Sequence, residues 1–137
     1  MLARTEERML HGEKLSAKQG IQWTFSEAAL ALYQCKLMVL HSAYLIETKQ
    51  AFRQEVSMTK YFVANTLWKV LDQAIQVHGA LGYSSDTPLE QMMKNARSAR
   101  LVDGADEVHL TQIAKHVLDA WRSEGSSRRA TGLGLLF

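Results

Sequence analysis

VSMTKYFVANTLWKVLDQAIQV, residues 56–77, is the stretch on which the fold turns. Tyr61, Leu67, Trp68, Leu71 and Ile75 recur at helical spacing, with the small Ala64 and Ala74 among them. A helix with one apolar stripe packs on one neighbour; a helix apolar on several sides needs neighbours on several sides. The segment therefore predicts a central helix from about Val56 to Val77. Gly79 and Gly82 end it, since glycine tolerates the left-handed backbone of a helix C-terminus.

Working towards the N-terminus, the polar link KQAFRQE (49–55) precedes this helix. Before the link, Trp23, Leu30, Leu37, Leu40, Tyr44 and Leu45 recur at three- and four-residue steps. They predict a long helix from about Trp23 to Lys49 with one buried face. Gly20 marks a break, and MLARTEERMLHGEK (1–14) reads as a first helix from about Ala3 to Lys14. On the other side, TPLE (87–90) offers Thr87 as an N-cap, Pro88 at the first helical position and Glu90 to complete a capping box. That helix runs from Leu89 to about Arg100. Residues 101–104 form a short turn. A last helix follows from about Ala105 to Arg122, with Val108, Ile113, Val117, Leu118 and Trp121 along one side. With a single proline and no alternating β-branched runs, the fold class is all-α: an antiparallel up-and-down four-helix-type bundle over residues 1–123. The tail, residues 124–137, is rich in Gly, Ser and Arg before an apolar end, and disorder is expected there.

Composition narrows the function classes. Of the 137 residues, 47% are hydrophobic and 22% charged, which places the chain among ordinary globular domains. A net charge of +2 is too balanced for a nucleic-acid groove or a basic membrane-binding stripe. No unbroken apolar run reaches the roughly 18 residues of a membrane span. The single cysteine, Cys35, excludes an internal disulfide, fits a reducing compartment and reads as a buried core residue. The charged N-terminus lacks the apolar core of a secretory signal. Its helix-like pattern suggests a start inside a longer protein.

The acids of LVDGADEVH (101–109) admit two readings. Asp103, before Gly104 and Ala105, suits an N-cap, and Asp106 with Glu107 suits a first helical turn, where the helix dipole favours negative charge. Alternatively one of them is a catalytic base. A facing acid pair is not expected, because adjacent helix positions point apart. A metal site is not expected: neither His78 nor His109 has a ligand three or four residues on, as helical metal sites need. His11, His41 and His116 read as rim residues, and Met38, Met58, Met92 and Met93 as core. Gly79 and Gly82 in QAIQVHGALGYSSD (73–86) read first as helix terminators. They follow a helix rather than a strand, so the dinucleotide fingerprint does not apply.

Three motifs, ERMLHGEKL, QVHGALGYSSDTPLEQMMKNAR and LVDGADEVH, occur in the order found in the C-terminal helical domain of acyl-CoA dehydrogenases, and the chain resembles that family over roughly residues 4–122. The Asp-Gly-x-Asp-Glu-Val-His form is similar to the branch with acyl-CoA dehydrogenase family members 10 and 11. The resemblance implies an FAD-dependent dehydrogenation: a carboxylate base takes a proton from Cα of an acyl-CoA thioester, and a hydride leaves Cβ for the flavin. It implies Asp103 as the base, although in some members the base lies elsewhere, and Gly104 as backbone against the thioester. It implies cofactor contacts at Arg8, His11, Gln19, Gln76, Gly79, Ala80, Ala105 and Glu107, with Arg8 on the pyrophosphate of an FAD held by a neighbouring subunit. Four of these depart from the usual residue: His11 stands for phenylalanine, Ala80 for a second glycine, Ala105 for threonine and Glu107 for glutamine. The resemblance further implies a soluble, intracellular homo-oligomer. The family's enzymes are about three times longer than this chain, so the expectation is a truncated form, inactive alone. The rival expectation is a non-catalytic helical oligomerisation module.

Overall fold

A computed structural model describes residues 1–123; the expected disorder of the tail lies outside the described residues. Helices dominate, in the order α1 (Leu2–Glu7), α2 (Gln19–Glu47), α3 (Arg53–His78), α4 (Ala80–Tyr83), α5 (Leu89–Ala99) and α6 (Asp106–Ser123). The fold is the expected all-α bundle. The segment at 56–77 is its centre, because α3 packs against α2, α4, α5 and α6. Its buried positions include Ser57, Ala64, Thr66, Leu71, Ala74 and Val77.

Helices α2 and α3 run antiparallel. Ser42 Oγ lies 2.9 Å from Thr59 Oγ1, while Glu27 at the other end of α2 pairs with Lys69 at 3.5 Å. The face that α2 buries differs from the predicted one. Ala28, Cys35, Ser42 and Leu45 are buried, whereas Trp23, Leu30, Leu37, Leu40 and Tyr44 are all about half exposed or more. Both sides of α2 are apolar enough to bury, and α3 takes the side whose small residues let the two backbones approach. The helix also begins earlier than expected, at Gln19, so Gly20 lies inside it. By length and composition alone α2 could cross a membrane, with an 18-residue window of mean hydropathy 1.3, although no unbroken apolar run in it is that long. One such helix is weak evidence, since the core helix of a soluble bundle passes the same test.

The first helix is shorter than predicted. It stops at Glu7, and Met9–Leu10 pairs antiparallel with Glu13–Lys14 in a small hairpin. The connecting residues, His11 and Gly12, have φ of 51° and 80°. Positive φ at both central positions is what a tight two-residue hairpin requires, and an X-Gly pair supplies it. A capping box also fails to form at α5. Thr87 Oγ1 points back to Leu81 O at 3.5 Å, and Glu90 instead pairs with Lys94 one turn on.

Candidate functional site

The turn between α5 and α6 carries the acids of LVDGADEVH, and the structure separates them. Asp106 is buried: its Oδ2 accepts from Arg100 Nε at 2.7 Å and from Asn65 Nδ2 at 3.2 Å. Burial pushes its carboxyl up, but the hydrogen bonds from Arg100 and Asn65 and the charges of Arg100 and Lys60 outweigh this and leave it below the usual aspartate range. Asp103 is exposed, and among the described residues its carboxylate has no hydrogen bond or ion pair. It does not cap α6, as one reading of the sequence expected. The first intrahelical bonds run instead to Ala105 O, from Val108 and His109. Glu107 is exposed in the first turn.

Two consecutive residues of this turn lie in the left-handed region, Asp103 at φ 54° and Gly104 at φ 97°. Aspartate tolerates that region better than most residues, but it still stores strain. Three contacts hold the turn. Lys60 Nζ on α3 donates to Ala99 O at 2.6 Å and to Gly104 O at 3.0 Å. His109 Nε2 lies 3.3 Å from Asp103 O. The Asp106 amide closes the turn onto Arg100 O at 3.2 Å. A Cβ on Gly104 would come within 2.8 Å of His109 Nε2, so the position needs glycine for space as well as for φ. Lys60, Asn65 and Arg100 were not legible as site residues, because nothing in the local pattern distinguishes Lys60 from Lys69 on the same helix, and Lys60 and Asn65 meet the turn only across the fold.

A second feature lies at the opposite end of α3. Arg8, Leu10, Leu15, Ile21, Thr24, Gln73, Gln76, Val77 and Gly79 line a cleft of about 320 Å³. The hairpin builds one wall, because the Leu15 amide donates to Arg8 O at 2.8 Å and folds Leu10 and Leu15 over the end of α3. Gly79, with φ 66° and ψ −145°, adopts a backbone that only glycine enters readily. A side chain there would sit 3.8 Å from Arg8 Nη1. The cleft thus joins a guanidinium with amide and hydroxyl groups above an open stretch of backbone. That donor set fits a phosphate-bearing, hydrogen-bonding ligand such as part of a dinucleotide.

Of the residues expected to touch the cofactor, Arg8, Gln76 and Gly79 meet in this cleft. Ala80 adjoins it in sequence, His11 sits at the hairpin tip and Gln19 opens α2; none of these three lines it. Ala105 and Glu107 belong to the other end, with Asp103 and Gly104. Sixteen residues of helix separate Lys60 from Gln76, which is about 24 Å at the α-helical rise. Among the described residues no group of three or more His, Cys, Asp or Glu could hold a metal ion.

A family model described as acyl-CoA dehydrogenase, C-terminal domain, matches residues 1–118. The chain belongs to the acyl-CoA dehydrogenase family. It is 38% identical over 117 residues to acyl-CoA dehydrogenase family member 11 of Rattus norvegicus, covering 84% of this chain and 15% of that protein. It is 33% identical over 118 residues to the mitochondrial short-chain specific acyl-CoA dehydrogenase of Homo sapiens, covering 86% of this chain and 29% of that one. A solved structure from Mycobacterium abscessus, described as an acyl-CoA dehydrogenase, superposes with a TM-score of 0.85 at 36% identity, over 88% of this chain and 30% of that chain. This acyl-CoA dehydrogenase domain therefore spans less than a third of each relative. The helical domain and the likeness to family member 11 agree with what the motifs imply.

Proposed function

We propose that residues 1–123 act as the C-terminal bundle of an FAD-dependent acyl-CoA dehydrogenase, supplying an oligomer interface, part of an FAD site and the carboxylate base Asp103. The observation that carries the reading is the contrast between two aspartates three residues apart. Asp106 is committed to Arg100 and Asn65, whereas Asp103 is exposed and unpaired among the described residues on a turn held by three contacts. A base needs a free lone pair on a held backbone, and Asp103 has an unpaired carboxylate on a turn whose carbonyls are tied by Lys60 and His109. In this reading Asp103 takes the Cα proton of an acyl-CoA thioester, and Gly104 lets the thioester approach the backbone. FAD, when bound, accepts the hydride from Cβ, and that chemistry belongs to the cofactor. Arg8 suits the pyrophosphate by charge and forked donors, and Gln76 and Gly79 suit the adenosine half.

The separation of about 24 Å along α3 between Lys60, which holds the Asp103 turn, and Gln76 in the cleft agrees with an arrangement in which each end of α3 serves a different subunit's reaction centre. The exposed Leu30, Tyr33, Leu37, Leu40 and Tyr44 fall at heptad spacing along α2, which supports self-association through that helix. The same two observations favour a second reading, a helical oligomerisation module of the same fold without catalysis.

Visible absorption separates the two. Purified protein mixed with excess FAD and gel-filtered should retain flavin bands if the cleft holds the cofactor, and a colourless protein favours the second reading. In an FAD-loaded enzyme containing this bundle, Asp103→Asn should abolish dehydrogenation and leave the flavin bands unchanged. Near-normal turnover would remove Asp103 from the role of base.

A further inference from the structure

We propose that Lys60 is a positioning residue for Asp103: its ammonium fixes the strained turn that carries the carboxylate. The inference rests on the reading of Asp103 as the base. Lys60 is the one side chain of α3 that reaches both sides of the turn, gripping Ala99 O at the end of α5 and Gly104 O just after Asp103. Each bond does a different job. The bond to Ala99 O satisfies a carbonyl that the helix end leaves without an amide partner. The bond to Gly104 O fixes the Gly104–Ala105 peptide, one peptide beyond the one whose oxygen, Asp103 O, meets His109, and so limits the freedom of the backbone from which the Asp103 side chain leaves.

Positive φ comes freely to Gly104, but at Asp103 it costs energy and persists where the surroundings hold it. Lys60 does so from the rigid central helix, and a charged donor makes a stronger bond to a carbonyl than a neutral one. Asparagine and arginine at 65 and 100 act one step further on, holding Asp106 and hence the start of α6. Without Lys60 the turn retains those anchors and the His109 contact at Asp103 O, but loses its ties on either side of Asp103, at Ala99 O and Gly104 O. The loss of alignment would reach the chemical step and leave substrate affinity nearly intact, because a misplaced base costs rate rather than binding.

Amide hydrogen exchange on this chain gives the first test. Lys60→Met should speed exchange of the Asp106 amide by about tenfold to a hundredfold, while amides in the middle of α3 keep their rates. Lys60→Arg, which keeps a cation with several donors, should restore most of the protection. An unchanged Asp106 rate, or equal acceleration throughout α3, overturns the inference. The second test is turnover of an FAD-loaded enzyme containing this bundle. Lys60→Met should lower kcat by about tenfold or more with KM nearly constant, and Lys60→Arg should recover it. A loosened turn with normal kcat also overturns the inference. Asp103→Asn distinguishes the two possible failures: if it is inactive while Lys60→Met is normal, only the positioning role fails. If Asp103→Asn itself turns over normally, the base assignment fails and the positioning role fails with it.

Discussion

At Gly82 a single hydrogen decides whether two helices fit. A Cβ there would lie 2.7 Å from His78 Cβ and 2.8 Å from Ile75 O, the second of which is backbone and cannot swing away. Gly82→Ala should therefore destabilise the chain by about 1–3 kcal/mol, as overpacking does, read from the urea midpoint. Gly20 is the control. A Cβ there meets nothing within 4 Å, and the residue lies in a helix, so Gly20→Ala should stabilise by about 0.5–1 kcal/mol. Asp106 gives a pH dependence. Its carboxyl is lowered on folding, so its contribution is present above the ordinary aspartate range and is lost as pH falls through the folded value. Glu6, held down by Ser16 and Lys14, and Glu13, held down by Lys18, titrate in the same direction. Comparing acid unfolding of wild type and Asp106→Asn below about pH 4 isolates the Asp106 share, and the variant should lose stability less steeply. At this scale the sequence was partly legible. It marked LVDGADEVH as important, but which aspartate is buried depends on Arg100 and on Asn65, the latter 41 residues away in the chain.

Among the elements, α2 teaches the most about what periodicity can and cannot say. Its apolar residues were rightly read as helical, yet the large ones at Trp23, Leu30, Leu37, Leu40 and Tyr44 face outwards. A helix with two apolar sides has two solutions to the same pattern, and the choice rests on which side lets a neighbour come close. Ala28, Cys35 and Ser42 do, and Ser42 adds a buried hydroxyl contact to Thr59. Ser42→Ala should cost about 0.5–1.5 kcal/mol in chemical denaturation, towards the lower end because Thr59 keeps Met38 O as a second partner at 3.4 Å. The ends of elements were less legible than their middles. His11–Gly12 closes a hairpin where helical spacing alone continued the first helix to Lys14, because turn chemistry outweighs a short charged pattern. Thr87-Pro88 announced α5 correctly, but the capping bonds implied by that pattern are replaced by a contact to Leu81 and by the Glu90–Lys94 pair.

Over the whole molecule, the order of helices and the central place of α3 follow from apolar residues on several of its sides, which no edge helix needs. The separation of the Arg8–Gly79 cleft from Asp103 does not follow from any motif; it comes from the length of α3. The face of α2 left bare by α3 has a consequence for how the chain responds to dilution. If a second copy covers Leu30, Leu37 and Tyr44, folding and association share one equilibrium. The thermal midpoint should then climb with protein concentration across a dilution series, and Leu37→Glu should flatten that slope and lower the midpoint at high concentration. A midpoint independent of concentration in the wild type would show that the exposed face contributes nothing to stability. Should the slope be present, adding buffer alone, with no change of temperature, pH or sequence, would be enough to unfold the chain.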